Sequence, residues 1–506
     1  MKPKASITVF MSLVLMLVLS LILTSYTAVR AAAGRSELAN AADQALFSLF
    51  AHYDRDLLEK YDVFFIDGSF GGSGLHLEEA CRFTEDAMAY VTGPAKGRLT
   101  TAKDLIPLTV TATSVTGYAL ATDLAGGVFA AQAVESMKET AVLQGIHLLS
   151  DHISIIGGSS EAARDEGQAV EEALSGGGLD EIRARAEAAR QEAESASGEA
   201  SGSGSHDGGS GETAVTVPAD FQNPLDTVVT LKKTSLLRLV HPSPEGISGR
   251  TVANGSLMSA RNCQSGMGIL DAREAAVSGV DELWLNEYIV RHFGSAVHPE
   301  GGSGLVYPVE QILKGKNSDL ANLEAIAREL LLIREGVNLV HIYRDPSLKE
   351  QARAAAMVIA AAILMPEAEI LIEPLVIAGW AFAESLLDLR TLFGGGFIPL
   401  VKNTSDWQVP LLQIPAMAAD MDAFRKPAAS GLDYTDHLRA LLAMLSHAGK
   451  VSRMCDMVEH EVRSAGRPAF CLDSCLMSLD LEIEARTDGP LTLRAERSMS
   501  YRDFRT

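Results

Sequence analysis

From Ala5 to Val29 the chain reads ASITVFMSLVLMLVLSLILTSYTAV, an apolar run without a charge, a proline or a glycine. At 1.5 Å rise per residue a helix of that length crosses a hydrocarbon core of about 30 Å, and in lipid only a closed helix satisfies its own backbone polar groups. The pattern predicts a membrane anchor carried by Ile7, Phe10, Leu13, Leu17, Leu21 and Ile22, flanked by Lys2 and Lys4 before it and by Arg30 and Arg35 after it. A secretory signal peptide opens in the same way, but its apolar region runs to about 7–15 residues. Ala31-Ala32-Ala33 offers small residues to a cleaving enzyme, so removal stays open as an alternative. The two lysines tip the positive-inside count slightly toward a cytoplasmic N-terminus. With an acidic remainder and no second span, the expectation is a single-pass protein of the cell membrane with its bulk outside the cytoplasm.

Beyond the anchor, Leu38, Ala41, Ala42, Ala45, Leu46, Leu49 and Phe50 recur at steps of three and four, the mark of one apolar helical face. With no proline between residues 4 and 93, the anchor is expected to run on, bending at Gly34, to about Tyr61. That makes a rod of more than 50 residues, roughly 80 Å long. Two readings stand: a pilin-like spine, or a membrane helix followed by an ordinary ectodomain helix. Ser12, Ser20, Thr24, Ser25 and Thr27 either let a second helix approach and bond, or bond back to their own helix. Ala39, Ala42 and Ala45 extend the small-residue surface and lean toward helix packing and self-association.

Further along, VFFI at 63–66 reads as a short strand, and the β-branched stretch Leu108 to Thr122 as a strand pair or one long bent strand. Helical spacing returns from Ala130 to Ser150. From Gly157 to Gly211 Gly, Ser, Ala and Glu dominate, a composition that cannot bury enough apolar surface to fold, so it is read as a tether or insertion. After it, TAVTVP and TVVTLKKTSLLRLV look strand-like. Helices are expected over 281–293, 318–343 and 347–364, the last with Ser347 and Glu350 in a capping box. Two more cover 434–446 and 451–464, and the alternation on both sides of Asp488-Gly489 signals a hairpin. The fold class is α+β, divided into an anchor at 1–35, an N-terminal ectodomain segment at 36–156, a low-complexity linker at 157–212 and a C-terminal α+β ectodomain at 213–506.

The stretch from Ala354 to Leu389 is the one rival for a second span. Its uncharged runs are too short, Glu367, Glu369 and Glu373 interrupt them, and Pro366 and Pro374 are expected to break the helix. Two core helices of a water-soluble domain fit better.

The 506 residues suffice for two or three domains with real cores. A net charge of −22 excludes an ordinary nucleic-acid binder, because phosphates require a concentrated positive face. Five cysteines are too few and too scattered for a disulfide framework, and an odd count leaves one unpaired. Cys471 and Cys475 bracket a three-residue stretch whose readings are a local disulfide or free thiols, since a metal site needs two further ligands at matching spacing. His460-Glu461 lacks a second histidine four residues on and reads as an exposed helical face. No strand-turn-helix GxSxG, HExxH or GxxxxGK[ST] pattern occurs. Trp284, Tyr288 and Phe293 stand at core spacing. The sequence thus nominates no catalytic residue, no metal ligand and no cofactor.

KASITVF leading into a long apolar helix, then an arginine and NAADQAL, resembles the N-terminal signature of the TadE/TadG-like proteins of tight-adherence pilus systems. LWLNEYIVRHFG, LVYPVEQILKGKNSDLANLEAIARELLLIREGVN and GLDYTDHLRALLAMLSHAGKVSRMCDMVE resemble the bacterial DUF5702 family, whose function is uncharacterised. The resemblance implies a structural or assembly role beside pilus or secretion components, and no known reaction. Type IV prepilins are cut after a glycine and carry a glutamate five residues into the mature chain. Here Ala5 precedes Ser6 and the fifth position is Phe10, so an uncleaved accessory component is favoured over a major filament subunit. The expectation is a non-enzymatic assembly component of a tight-adherence type pilus or related secretion apparatus. Its partners are the lipid bilayer, pilin-like subunits and a polytopic platform protein, without nucleic acid. The alternative is a membrane-anchored receptor with a ligand pocket among the helices from 281 to 395.

Overall fold

The computed structural model of the protein describes residues 4–92, 107–140, 221–268, 276–362, 369–400, 402–426, 428–487, 489 and 491–502. The low-complexity linker at 157–212, the strand-like TAVTVP, the helix end at 141–150, Lys2, Pro366 and Asp488 lie outside the described residues. In chain order the main elements are α1 (Lys4–Phe50), α2 (Arg55–Tyr61), β1 (Ile66–Asp67), α3 (Leu77–Thr92), β2 (Leu108–Leu120) and α4 (Asp123–Thr140). Next come α5 (Pro224–Lys233), α6 (Leu236–Val240), α7 (Val280–His292), α8 (Pro308–Lys314), α9 (Asp319–Arg344), α10 (Pro346–Ala362) and α11 (Glu369–Phe393). The chain closes with α12 (Ile414–Ala419), α13 (Met421–Phe424), α14 (Tyr434–Met444), α15 (His447–Ser464), β3 (Cys475–Thr487) and β4 (Thr492–Ser500). The protein is mixed α+β, rich in helix with a small antiparallel sheet.

These elements group into two compact units that do not follow the sequential division expected from composition. The first joins residues 1–141, 253–288 and 451–506; the second joins 142–252 and 289–450. The C-terminal strands therefore return to the N-terminal segment. The physical reason is β3, which supplies the central strand that β1 and β2 need as a partner.

In the first unit β3 pairs antiparallel with β2 along one edge, from Leu120↔Leu476 to Leu108↔Thr487. Its other edge is shared end to end by β1, through Ile66↔Leu476, and by β4, from Ser478↔Ser500 to Arg486↔Thr492. Strict alternation puts Leu479, Leu481, Ile483 and Ala485 in the core while Asp480, Glu482 and Glu484 sit half-buried on the opposite face. The core face is covered by α1 and α3. Leu38, Ala41, Ala42, Ala45, Leu46 and Leu49 pack there with Ala80 and Met88 of α3.

Three expectations change here and one open alternative is resolved. The long helix runs unbroken through Gly34 and stops at Phe50, not Tyr61. Its 47 residues span about 70 Å. It ends because Asp54 leaves helical geometry to cap α2, its carboxylate accepting the Leu57 N–H at 3.1 Å while its own N–H donates to the Phe65 carbonyl at 2.8 Å. The strand expected at 63–66 shrinks to Ile66–Asp67, since the Gln132 amide bonds both the Phe64 N–H (3.0 Å) and its carbonyl (3.1 Å) in place of a neighbouring strand. Between the strand pair and the single strand, β2 is the single strand, with register shifts at Val110/Ala112, Val115/Gly117 and Ala119/Leu120. After it the chain reverses through left-handed Leu124, Ala125 and Gly126, held by Asp123, whose carboxylate accepts the Leu120 N–H at 2.7 Å. Gly126 is required twice, by its φ of +87° and because a Cβ there would meet Val451 at 2.9 Å.

The second unit is helical. Helices α9 to α11 form its centre, and their apolar faces bury Leu323, Ile326, Leu330, Ile359, Leu386 and Leu387. Along α9, Val337 and Val340 are half-buried and Leu320 is exposed. The strand-like TVVTLKKTSLLRLV folds instead as α5 and α6. Asn223 caps α5 through the Leu225 N–H (3.0 Å), Pro224 stands at its first turn, and Leu225, Val228 and Leu231 bury one face at three-residue steps. Packing of that face outweighs the β preference of its valines and threonines. The cap of α10 is Asp345, which accepts the Ser347 N–H at 2.8 Å, so Pro346 opens the helix and no Ser347/Glu350 box forms. Pro374 lies inside α11 rather than ending it. The carbonyl it leaves unpaired belongs to Ile370 in the solvent-facing first turn, where the lost bond costs least.

Leu481 is the centre of the first unit's helix-on-sheet core. Leu481→Ala is expected to lower the unfolding free energy by about 2–5 kcal/mol in denaturant titration of the detergent-solubilised chain. Glu482→Ala, on the open face of the same strand, is expected to cost about 0.5 kcal/mol or less.

Candidate functional site

The largest unsatisfied surface of the described chain is the first half of α1. From Ile7 to Val29 every residue is exposed, including Ile7, Phe10, Leu13, Leu17, Leu21 and Ile22. After Gly34 the same helix buries one face, with Leu38 at 0 % exposure. Among the described residues it is the one helix long and apolar enough to cross a membrane. Each Leu, Ile, Phe or Val at the centre of a span contributes roughly 0.3–0.6 kcal/mol to insertion, whereas in water the same side chains form a large uncovered apolar patch. Arg30 ends the bare stretch, its guanidinium over the Tyr26 ring at 5.9 Å, and Arg35 is exposed one turn on. Such a Tyr and Arg pair suits the level of lipid headgroups.

Three of the small polar residues in this stretch bond to their own helix. Ser12 donates to the Val9 carbonyl (2.8 Å), Thr24 to that of Ser20 (2.9 Å) and Thr27 to that of Leu23 (3.0 Å). Ala39 is half-buried, while Ala42 and Ala45 are wholly covered by the unit's own sheet core, so these two have no surface left for a partner helix. His460 and Glu461 are half-buried rather than exposed, and Glu461 pairs with Lys60 at 2.8 Å. Trp284 and Tyr288 are core residues of the first unit and Phe293 of the second. All five cysteines are free thiols.

Each unit also holds an ionic cluster that the sequence reading missed. In the second, Glu384 and Asp388 of α11 face Arg334 and Asn338 of α9, and Lys402 reaches both carboxylates, at 2.6 Å from Asp388. All four charged side chains are at most 1 % exposed. Arg334 donates to Asp388 (3.0 Å) and to the Leu400 carbonyl (3.1 Å), and Glu384 accepts the Gln408 and Val409 N–H groups at 3.0 Å each. Burial pushes the Asp388 carboxyl up, but Lys402 and Arg334 outweigh it and hold it below the usual range; at Glu384 burial outweighs Lys402 and its carboxyl is raised. Two cations and two anions balance, every approach is closed to solvent, and the arrangement straps the segment 399–409 onto the helices. The available signal was i,i+4 spacing, Glu384/Asp388 and Arg334/Asn338, on otherwise apolar helical faces.

In the first unit Glu459 of α15 is the hub. It accepts the Met258 N–H (3.1 Å), the Leu472 N–H (2.8 Å), Arg463 (3.1 Å) and both ends of the Arg261 guanidinium. Arg261 also donates to Asp473 at 2.7 Å. Atoms of Glu459, Cys471 and Asp473 lie within 4.8 Å of one another, a spacing that suits a metal ion. The donor set does not, because Arg261 sits on both carboxylates and Arg463 donates to the Cys471 sulfur at 3.2 Å. Elsewhere in this unit Arg467 gathers Asp54, Asp56 and Asp67 at 2.6–2.9 Å.

Also in the second unit, Glu310 of α8 is fully buried. Its Oε1 accepts the Ala296 N–H (2.8 Å) and the Tyr434 hydroxyl (2.7 Å), and its Oε2 has no partner. Burial pushes this carboxyl up to about 7, assisted by the Asp319 charge and opposed by those two bonds. A groove of about 540 Å³ in the same unit is lined by Leu231, Lys232, Leu239, Glu324, Arg328 and Phe382.

A family model described as a family of unknown function, DUF5702, matches residues 216–487, over half of the chain. No curated protein and no solved structure matches. The matched span contains β3 but neither α1 nor β2, so the sheet of the first unit is completed from outside the match.

Two outcomes follow from the buried charges. Lys402→Met leaves Glu384 buried without a cation, with Asp388 held by Arg334 alone, and is expected to cost about 3–5 kcal/mol in chemical denaturation. The folded protein holds the Glu310 proton more tightly than the unfolded chain, where the carboxyl titrates near 4.5, so this contribution is complete below pH 4.5 and lost as pH rises through about 7. In denaturation from pH 5 to 8, Glu310→Gln is expected to gain stability relative to the unsubstituted chain as pH rises, by up to about 3 kcal/mol across the window, while buried His437, held down to about 4, acts in the opposite sense in both.

Proposed function

This chain belongs to the DUF5702 family of proteins of unknown function, and from that premise we propose that it is a membrane-anchored structural component of a cell-surface assembly, of the tight-adherence pilus or a related secretion apparatus. One observation carries the reading: a single helix whose first half is bare and apolar and whose second half is built into the core of an antiparallel sheet. That division is the pilin-like plan, in which lipid or neighbouring apolar helices cover the front of the helix and a folded head rides on its back. The resemblance of the N-terminal stretch to TadE/TadG-like proteins points to the same class of machine.

In this reading α1 stays uncleaved in the cell membrane, its N-terminus cytoplasmic and both units outside. The sealed ionic clusters serve rigidity, and the bare half of α1 makes the lateral contacts. Because Ala42 and Ala45 are spent inside the unit, self-association or binding to a pilin-like subunit or a polytopic platform protein runs through the membrane half alone. No chemistry is assigned to the protein. The groove beside Lys232 and Phe382 supports the competing reading, a surface receptor for a small ligand.

Fractionation of cells expressing the full chain is expected to put it in the membrane pellet, extractable by detergent but not by carbonate, with an intact Met1. Protease added to intact cells should digest residues beyond about Arg35 and spare α1. Detergent extracts should carry the protein together with pilin-like partners. A soluble, anchor-free product or a protease-resistant bulk would sink the orientation, and a monomer that binds a small molecule would favour the receptor.

A further inference from the structure

The hub at Glu459 ties together two chain segments that each carry a half-exposed thiol. One is the loop with Cys263, the other the turn with Cys471 that leads from α15 into β3. The ties flank Cys263 on both sides and follow directly after Cys471. Arg261, two residues before Cys263, donates to Asp473 at 2.7 Å, and the N–H of Gln264, the next residue after Cys263, donates to the other oxygen of the same carboxylate at 3.1 Å. Leu472, next to Cys471, donates its N–H to Glu459, which also holds Arg261 and the Met258 N–H. Burial pushes the Cys263 thiol up, with the Arg261 guanidinium opposing it.

From this cross-tied pair the geometry points to a disulfide between Cys263 and Cys471 that locks the 253–268 loop onto the α15–β3 turn in an oxidising compartment. The other thiols serve less well. Cys475 and Cys455 are completely buried, whereas Cys263 and Cys471 are half-exposed; the Cys263 sulfur, which faces the Met258 carbonyl at 3.5 Å, swings away from it to form the bond. This redirects the local Cys471–Cys475 bridge that the sequence spacing raised. Non-bonded arginine contacts already hold the two segments in register, so the bond adds a covalent staple to a formed contact rather than creating one.

The step needs a disulfide-bearing oxidant such as oxidised glutathione or an envelope thiol oxidase. Cys471, whose sulfur accepts an N–H from Arg463 at 3.2 Å, is the attacking group. Its sulfur forms a mixed disulfide, the oxidant's S–S bond breaks, and the first leaving thiolate takes the Cys471 proton. Cys263 then attacks the Cys471 sulfur, and the second thiolate leaves with the Cys263 proton. The protein loses two electrons and two protons, and the oxidant becomes two thiols.

The compartment rests on the outward orientation proposed above, but the pairing does not, and two measurements separate them. Purified full-length protein in detergent is equilibrated with oxidised glutathione, alkylated and mapped by mass spectrometry without reduction. A Cys263–Cys471 linked peptide pair is expected, accompanied by a rise in melting temperature of at least about 4 °C that dithiothreitol reverses. Cys475→Ser should keep the linked pair; Cys263→Ser and Cys471→Ser should each lose it. A Cys471–Cys475 link, or free Cys263 and Cys471 in folded, oxidised protein, overturns the proposal. Alkylation in intact cells reads the compartment: a bond that forms in the tube while cellular protein stays reduced supports the pairing and counts against the outward orientation.

Discussion

Everything in the first unit depends on one helix that is bare and apolar along its first half and buried along its second. Along α1 the side chains that face outward from Ile7 to Val29 are as apolar as those buried from Leu38 to Phe50, yet only the second set has protein against it. A helix is rigid over these lengths, so the buried half fixes the direction in which the bare half leaves the sheet. The interface of α1 with Leu481, Ile483 and Leu493 is therefore what couples the bare apolar half of α1 to the sheet.

That interface also dictates the chain's long return. A helix laid on β2 and β1 alone would cover two strands that are not neighbours, since each pairs with β3 and not with the other. The sheet closes only when Cys475–Thr487 comes back from the far end of the sequence. Contacts of this separation form late and slowly in folding. The ionic hubs are placed where such long-range joints need to be held: Glu459 beside the start of β3, and Arg467 with Asp54, Asp56 and Asp67 around β1. In the second unit the balanced set of Glu384, Asp388, Arg334 and Lys402 does the same for the segment that follows α11. A buried pair of this kind contributes less through its own attraction than through the cost of separating its members, which makes the strapped geometry hard to leave.

The difference between the expected and observed elements is instructive at three places. TVVTLKKTSLLRLV carries β-branched residues, and nothing local distinguishes it from a strand, but Asn223 and Pro224 start a helix whose buried face then decides the matter. VFFI has strand composition, but Gln132, nearly 70 positions away in sequence, takes up the backbone bonds of Phe64. The alanines at 42 and 45 look like a docking stripe for another helix until they are seen to share a core with α3 and the sheet.

What the sequence by itself determined is whatever depends on local periodicity and length: the apolar span, the helices α7, α9, α10, α14 and α15, the closing hairpin and the core positions of Trp284, Tyr288 and Phe293. These follow from patterns a few residues long, because a helix or hairpin repeats its geometry over that distance. Only the tertiary structure decided which faces were already taken, how Glu459, Arg261 and Asp473 meet across some 200 positions, and which thiols share a patch. Such meetings depend on the path of the chain through space, and residue spacing along the chain carries no record of that path.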